Sequence, residues 1–564
     1  MKEDAMTHYE PARSTGEPTT AAEITEAAAA RPTLGFLLGL VFLTLMLSVS
    51  AAGQTVPMGR YSSWLKSLGP DYDVVQGNVF LFTNDDCPTF VKIFDSCFGN
   101  NPAAPYIIPQ PPIEDSYVDP YYAKPLNTRG PHKTNIIHRL SDQDALVTIV
   151  SYPPKAAYFG YVSYAFTREA SDYMGITPPP QPPRVVSPDP TRYELFGSLG
   201  NGVNNVIVQN QLGVSPWSNA IVVYITTSNT NLAAALVEKA QRHGIDPKSI
   251  FIEPIGSNMI TGNGSAADDM VTLMRYSLPE STTAAENWMS SLSRNVLVYK
   301  VSNSTLAVQR YGEIGYTPHS VNTDETTYVP SLSTALQQLA TLLQNYLAAK
   351  QSPFEAAYQS FIKTETVDAE GVPTAGIVGS YCIQYGLNCL GDSQDTYSYA
   401  FLTLRTLSLE ETAFVVGVNH TVPNLNNARY VSIGVLNAEI QAGVASASQT
   451  NPQAVGFDSG SLTGSAEGVL QALGISIPPE DTDLIDDLPE LYVAAVARDI
   501  NNPTIAPAGQ YTIDLKGTSL IPIDTPIEFQ SRAYVLPGST AGGNVNFMLL
   551  PVVVAARKDF LPQQ

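Results

Sequence analysis

Positive charge is scarce in this chain. Lys and Arg together number 30 against 52 Asp and Glu, a formal charge of −22. The acids are spread along the chain, and no basic block supplies the footprint that neutralises phosphates, so nucleic acid is excluded as a partner. Histidine is rarer still: six residues, one of them His8 in the N-terminal tail. Imidazole chemistry is thereby confined to His132, His138, His243, His319 and His420. His132 and His138 lie close together, but no Cys or acid completes a ligand set beside them, and His-Glu-x-x-His is missing. P-loop, haem and zinc spacings and the Gly-x-Ser-x-Gly elbow are absent as well.

Another absence is local. From Pro32 to Gly59 there is no charged residue. Leu34 to Ala52 is long enough to cross a hydrocarbon core of about 30 Å as a helix, and only Thr44, Ser48 and Ser50 interrupt it. The reading is a disordered polar tail over 1–32 and a signal-anchor helix over 33–53. The alternative is a cleaved signal, cut after Ala52 in the small-residue run Ser50-Ala51-Ala52, which would make the protein secreted. Lys and Arg flank the run on both sides, so charge does not set the orientation.

Four cysteines follow, in two local pairs, Cys87 with Cys97 and Cys382 with Cys389. That spacing suits two small disulfide loops in an oxidising compartment. Sequons stand at Asn263, Asn303 and Asn419, all beyond the span. Together these place the large C-terminal part outside the cytosol, as a single-pass membrane protein.

What is abundant is Tyr, Thr, Asn and Pro, with charged residues at only 15%. The fold class expected is α+β and β-rich: a membrane-spanning helix, a mixed α/β domain over 54–362, a linker over 363–376, and a mainly antiparallel β domain over 377–564. The first domain contains a βαβ-like unit. Ile221–Thr226 is a β-branched run, Asn229 caps a helix from Thr230 to His243, Gly244 and Asp246-Pro247 end it, and Ser249–Ile255 is the returning strand. A later helix carries Leu332, Leu336, Leu339 and Leu343 on one stripe, spacing that fits a packed core. "GSLGNG" (Gly197–Gly202) reads as a hairpin turn, with "VNNVIVQN" as the following strand.

Few residues suggest chemistry. "GDSQDT" (Gly391–Thr396) resembles the Gly-Asp-Ser nucleophile block of a large esterase family. Such esterases take their base from a late Asp-x-x-His, which this chain lacks. A dispersed site of Ser393, Asp395 and His420 remains the catalytic candidate. "EDTDLIDD" offers Asp481, Asp483, Asp486 and Asp487 as oxygen donors for Ca²⁺, without EF-hand spacing; no other cofactor is expected. The function read from the sequence is an extracytosolic, membrane-anchored binding or structural protein for a polar ligand, glycan or protein partner. A hydrolase using the dispersed Ser/His/Asp set is the alternative.

Overall fold

Alternation along the buried strands explains the layers. In Ile221–Thr227, Val222 and Tyr224 face one core, while Val223 and Ile225 face another. In Thr412–Val418, Ala413 and Val415 point one way and Phe414 and Val416 the other. A strand apolar on both faces must be covered on both faces. The computed structural model describes residues 58–113, 133–170, 189, 191–218, 220–327, 330–350, 355–392, 400–444, 446–448, 451–455, 457–498, 511–515 and 518–561. The expected tail and span lie outside these. Among the described residues no helix is long and apolar enough to cross a membrane.

The strands of the first half are β1 (Asp73–Gln76), β2 (Asn78–Phe82), β3 (Tyr106–Gln110), β4 (Asp144–Ser151), β5 (Ala156–Glu169), β6 (Arg192–Ser198), β7 (Val203–Asn204), β8 (Ile221–Thr227), β9 (Ile250–Pro254), β10 (Asp269–Pro279) and β11 (Val296–Ser302). The second half continues with β12 (Ala356–Ser360), β13 (Ile362–Lys363), β14 (Glu365–Val367), β15 (Pro373–Gly376), β16 (Ala400–Leu404), β17 (Thr412–Val418), β18 (Tyr430–Asn437) and β19 (Ala442–Val444). It ends with β20 (Ser446–Ser448), β21 (Asn451–Val455), β22 (Phe457–Asp458), β23 (Leu491–Ala497), β24 (Thr512–Asp514), β25 (Ile527–Tyr534) and β26 (Val552–Ala556).

These strands reveal an internal duplication. One sheet of the first half runs β1-β11-β4-β8-β9, and one of the second runs β12-β26-β17-β23-β24. In each, the last pair alone is parallel. The other sheet runs β2-β3-β10-β5-β6 with β7 on β5, matched by β13-β16-β25-β18-β19 with β22 on β18. Both copies of this second sheet are antiparallel throughout. The chain visits corresponding strands in the same order in both halves.

Helices cover the outer face of each five-stranded sheet. The helices of the first half are α1 (Met58–Lys66), α2 (Cys87–Phe94), α3 (Asn205–Leu212), α4 (Thr230–Arg242) and α5 (Thr282–Ser290), of which α1 and α4 lie on that face. Trp64 and Leu65 of α1 and Leu232 and Leu236 of α4 pack on Val147, Ile149 and Val223. In the second half, α6 (Pro330–Lys350), α7 (Gly379–Tyr385), α8 (Ser459–Leu462), α9 (Ser465–Leu473) and α10 (Thr482–Asp487) follow. Leu332, Leu336, Leu339 and Leu343 of α6, with Val469 of α9, cover Phe414 and Val416. Each half is thus a three-layer helix/sheet/sheet sandwich.

The strand-rich α+β class and the βαβ unit match expectation: β8 and β9 are parallel neighbours joined by α4, and Asn229 Oδ1 accepts the Asn231 N–H (3.0 Å). Three readings differ. The stretch 363–376 is not a linker but mostly the β14–β15 hairpin, whose tight turn places Gly371 at φ +85°. The second copy of the fold begins earlier, with α6. "VNNVIVQN" is strand only at β7, after which Asn204 Oδ1 accepts the N–H groups of Val206 and Ile207 and starts α3. An Asn cap outweighs the β-branched residues that follow it.

Candidate functional site

The halves meet through the outer faces of their six-stranded sheets, and the contact is reciprocal. After each disulfide, Cys87–Cys97 and Cys382–Cys389, the chain runs Cys-Phe-Gly-Asn (97–100) or Cys-Leu-Gly-Asp (389–392). Both middle pairs are left-handed: Phe98 and Gly99 at φ +57° and +62°, Leu390 and Gly391 at +51° and +71°. Each loop then pairs with the other half. Cys97 N–H donates to Ile440 O (2.9 Å), Gly99 N–H to Gln441 O (2.7 Å), and Asn100 Oδ1 accepts from Gly443 N–H (2.7 Å). Correspondingly, Cys389 N–H donates to Leu195 O (2.7 Å), Gly391 N–H to Phe196 O (2.8 Å), and Asp392 Oδ1 accepts from Ser198 N–H (2.7 Å). Even the receiving residues agree, since Phe196 and Gln441 are left-handed at φ +33° and +47°. This is the geometry of a self-complementary twofold interface, made within one chain.

The same pseudo-twofold brings Arg275 of β10 and Arg532 of β25 together. Each stands three residues before a left-handed strand end, Leu278 or Val535, both at φ +51°. Their cross-strand partners are Gly160 and Ser432, which in turn face Asn204 and Asp458, the caps of α3 and α8. Both guanidiniums are buried. Arg275 Nη1 donates to Tyr534 Oη (2.7 Å), and Arg275 lies over the Tyr106 and Tyr534 rings at 4.9 and 5.2 Å. Arg532 donates to Gly99 O and Gln530 Oε1.

Both arginines line one cavity of about 60 Å³ between the sheets. Its apolar wall comes from the first half: Phe82, Phe90, Phe94, Phe98, Phe166 and Phe196, with Val271 and Leu273. The rings interlock edge to face, Phe94 on Phe166 at 5.9 Å and Phe98 on Phe166 and Phe196 at 5.3 Å. Gly391 must be glycine here, because a Cβ would lie 2.8 Å from the Phe196 ring. Electrostatics around the two arginines are unusual. Burial pushes the Tyr106 hydroxyl up, but Arg275, Arg532 and the donated Asn101 N–H (2.7 Å) more than reverse this, leaving it below the ordinary tyrosine value. Burial holds the nearby Glu528 carboxyl above its usual range, against the pull of Gln530, Gln441 and Arg532.

The residues singled out by sequence lie elsewhere. Ser393 and Asp395 fall outside the described residues. His420 is buried, with Nδ1 2.8 Å from Glu325 Oε1. Glu325 also accepts Asn427 Nδ2–H (2.9 Å) and Leu549 N–H (2.9 Å). His420 therefore packs in a buried polar cluster, and it is not among the residues lining the cavity. Asp481, Asp483, Asp486 and Asp487 sit on or beside the short helix α10, where Asp481 Oδ1 accepts from Gln338 Nε2 (3.2 Å). Among the described residues no three His, Cys, Asp or Glu side chains gather as a metal site, so the calcium expectation finds no support there.

Two sequons are local turn chemistry. Asn303 Oδ1 accepts from Thr305 N–H and Oγ1–H, and Asn419 Oδ1 from Thr421 Oγ1–H. Both asparagines are buried, and Asn419 Nδ2 donates to Thr463 Oγ1 (3.1 Å), so a glycan on either would require the fold to open. Asn263 is half-buried.

Sequence reasoning missed Tyr106, Arg275 and Arg532. Two faint signals were present: the Cys-x-Gly-Asn/Asp loops, and Arg-Tyr-Ser-Leu-Pro (275–279) beside Arg-Ala-Tyr-Val-Leu-Pro (532–537).

No family model and no curated protein matches this chain. Two solved structures show a distant likeness. One is the VPA0106 protein from Vibrio parahaemolyticus, at 6% identity and TM-score 0.30 over 74% of this chain and 87% of that one. The other is an uncharacterized protein from Burkholderia cenocepacia, at 10% identity and TM-score 0.32 over 94% and 91%. Likeness at these scores carries no argument about fold or function.

Proposed function

We propose that this is a membrane-anchored extracytosolic binding protein that holds a small ligand in the cavity between its two halves. The observation that carries the reading is the cavity itself, walled by interlocked phenylalanines and lined also by two buried arginines. Concave sites with an apolar lining and a few fixed polar groups are where small molecules bind. The charge-free run Leu34–Ala52 supports the anchor, and the two disulfides support an oxidising compartment. Of the partners expected from sequence, a polar ligand fits such a cavity better than a glycan or a protein surface.

The test is a thermal-shift screen of the purified protein against small metabolites. A true ligand raises the unfolding temperature with concentration, and Leu273→Trp, which fills the cavity, removes the effect. If no compound stabilises the protein, or if those that do act equally on Leu273→Trp, the reading is wrong.

A further inference from the structure

We infer that Glu253 is a proton-operated latch between the two sheets of the first half, holding them while it carries a proton and loosening them when it gives the proton up. Glu253 stands buried in β9 of the five-stranded sheet. Its Oε1 accepts the Ser163 N–H (2.6 Å), and its Oε2 lies 2.5 Å from Ser163 Oγ and 2.6 Å from Thr226 Oγ1. Two hydroxyl chains lead away, Ser163 Oγ to Thr272 Oγ1 (2.8 Å) and Thr226 Oγ1 to Tyr161 Oη (2.9 Å). Both start at Glu253 and end on the six-stranded sheet, and every member is buried. Hydroxyls donate or accept by rotation. With a proton on Oε2 the carboxyl donates into one chain; once that proton has passed to solvent water, both hydroxyls donate to Oε2. Only the neutral state leaves no charge between the sheets. No Lys, Arg or His offsets that charge: burial holds the carboxyl above its ordinary 4.5, against the donated bonds of Ser163 and Thr226. Tyr161 beside it, and Tyr224 stacked on Tyr161 at 4.3 Å, are raised by burial and stay neutral.

The second half shows that the fold does not need this cluster. There the cross-strand pair Ser163–Thr272 becomes Val435–Phe529, Tyr161 becomes Ile433, and the inward faces of β23 and β24 bring Ala494, Val496 and Ile513. A carboxyl in one copy alone is an addition to the packing, made at a cost in desolvation. Its position gives it reach. Ser163 O accepts the Leu199 N–H (3.0 Å), beside Ser198, which Asp392 of the second half holds. Thr272 stands between Val271 and Leu273, which line the cavity on the reverse face of the sheet. Loosening β5 and β10 therefore acts on the interface and on the cavity wall, whether or not a ligand binds there.

Amide hydrogen exchange of the full protein across a pH series, with intrinsic rates divided out, tests this at the Ser163 N–H. Opening that frees Glu253 releases its proton, so the latch is complete below the ordinary 4.5 and is lost as pH rises through the raised value. The expected result is that Ser163 protection falls with pH, by up to about tenfold per unit within that window. In Glu253→Gln, whose amide reproduces the neutral acid, protection should stay level. A level profile in the unaltered protein overturns the inference, because no proton then leaves on opening. An equal fall in Glu253→Gln overturns it as well, by assigning the proton to another group. Should Glu253→Gln fail to fold, Glu253→Ile, which brings the kind of side chain found in the twin core, gives the same comparison.

Discussion

Replacing Asp392 by Ala tests the reciprocal interface at its most polar point. Asp392 is 1% exposed, and its carboxylate accepts Ser198 N–H (2.7 Å), Ser198 Oγ–H (2.7 Å) and Gly379 N–H (3.0 Å). The backbones it bridges are already in close approach, since a Cβ on Gly379 would lie 2.1 Å from Ser198 O. Water therefore has little room to replace the carboxylate. The variant strands two backbone donors and one hydroxyl, each costing about 1–3 kcal/mol when buried and unmet. Relief of the carboxylate's own desolvation offsets part of this. The net expectation is about 3–5 kcal/mol, a large share of the roughly 5–15 kcal/mol that holds a typical domain. Asp392→Asn should cost less, because its twin Asn100 makes the equivalent Gly443 bond with an amide oxygen. It still sets an amide N–H₂ against the Gly379 N–H, so about 2 kcal/mol is expected. Denaturant unfolding gives the totals, and amide hydrogen exchange at Ser198 and Gly379 reports the local opening. A loss below about 1 kcal/mol in Asp392→Ala, with both amides still protected, would refute the argument that this carboxylate clamps the halves.

Stability should respond to pH in two opposed ways. Burial and the neighbouring Glu411 raise the Asp559 carboxyl to about 7, so its contribution is complete below its ordinary value near 3.8 and is lost as pH rises through 7; Asp559→Asn should flatten that alkaline decline in a melting-temperature series. Burial lowers His138 to about 4 despite the Ile136 carbonyl, so its contribution holds above the ordinary 6.5 and is lost as pH falls toward 4, a slope that His138→Gln should remove. Removing either disulfide by paired Cys→Ala substitution should cost about 2–3 kcal/mol from loop entropy for such short loops, read as a lower unfolding midpoint. Expression in a glycosylating host should leave Asn303 and Asn419 unmodified in the folded product, and peptide mass spectrometry would show a glycan at either if the buried Asn turns are misread.

Local signals in this sequence were strong where backbone chemistry is strong. The Asn229 cap, the Gly244 stop and the β-branched strands around them specify the βαβ unit in a window short enough to read directly. The α6 stripe and the two cysteine loops were legible for the same reason: each is one periodicity or one short spacing. The misreadings came where one local preference opposed another, as at Asn204, where a cap redirects a β-branched run into helix. The hairpin at 365–376 was read as a linker because strands this short carry too few alternations to register. The site was illegible for a different reason. Arg275 and Tyr106 share a cavity with Arg532 only because two copies of a fold dock face to face, and little similarity survives between the copies to announce it.

That divergence extends to the side chains around the two arginines. Aligning Arg275 with Arg532 places Leu273 opposite Gln530 and Val271 opposite Glu528 in the pseudo-twofold scheme. The loop contacts place Phe196 opposite Gln441 and Phe98 opposite Leu390. At these positions the first half is apolar, with two of the four residues aromatic, while the second is polar except at Leu390. A perfectly repeated pair would surround the two buried guanidiniums with either all-apolar or all-polar neighbours at these positions, and the first would leave both charges poorly supported. The backbone elements that hold the halves together, the left-handed loop pairs and their edge-strand hydrogen bonds, have stayed alike in both copies. The side chains at the aligned positions have not. Conformation is kept where the interface needs it, and side-chain chemistry differs around the two arginines.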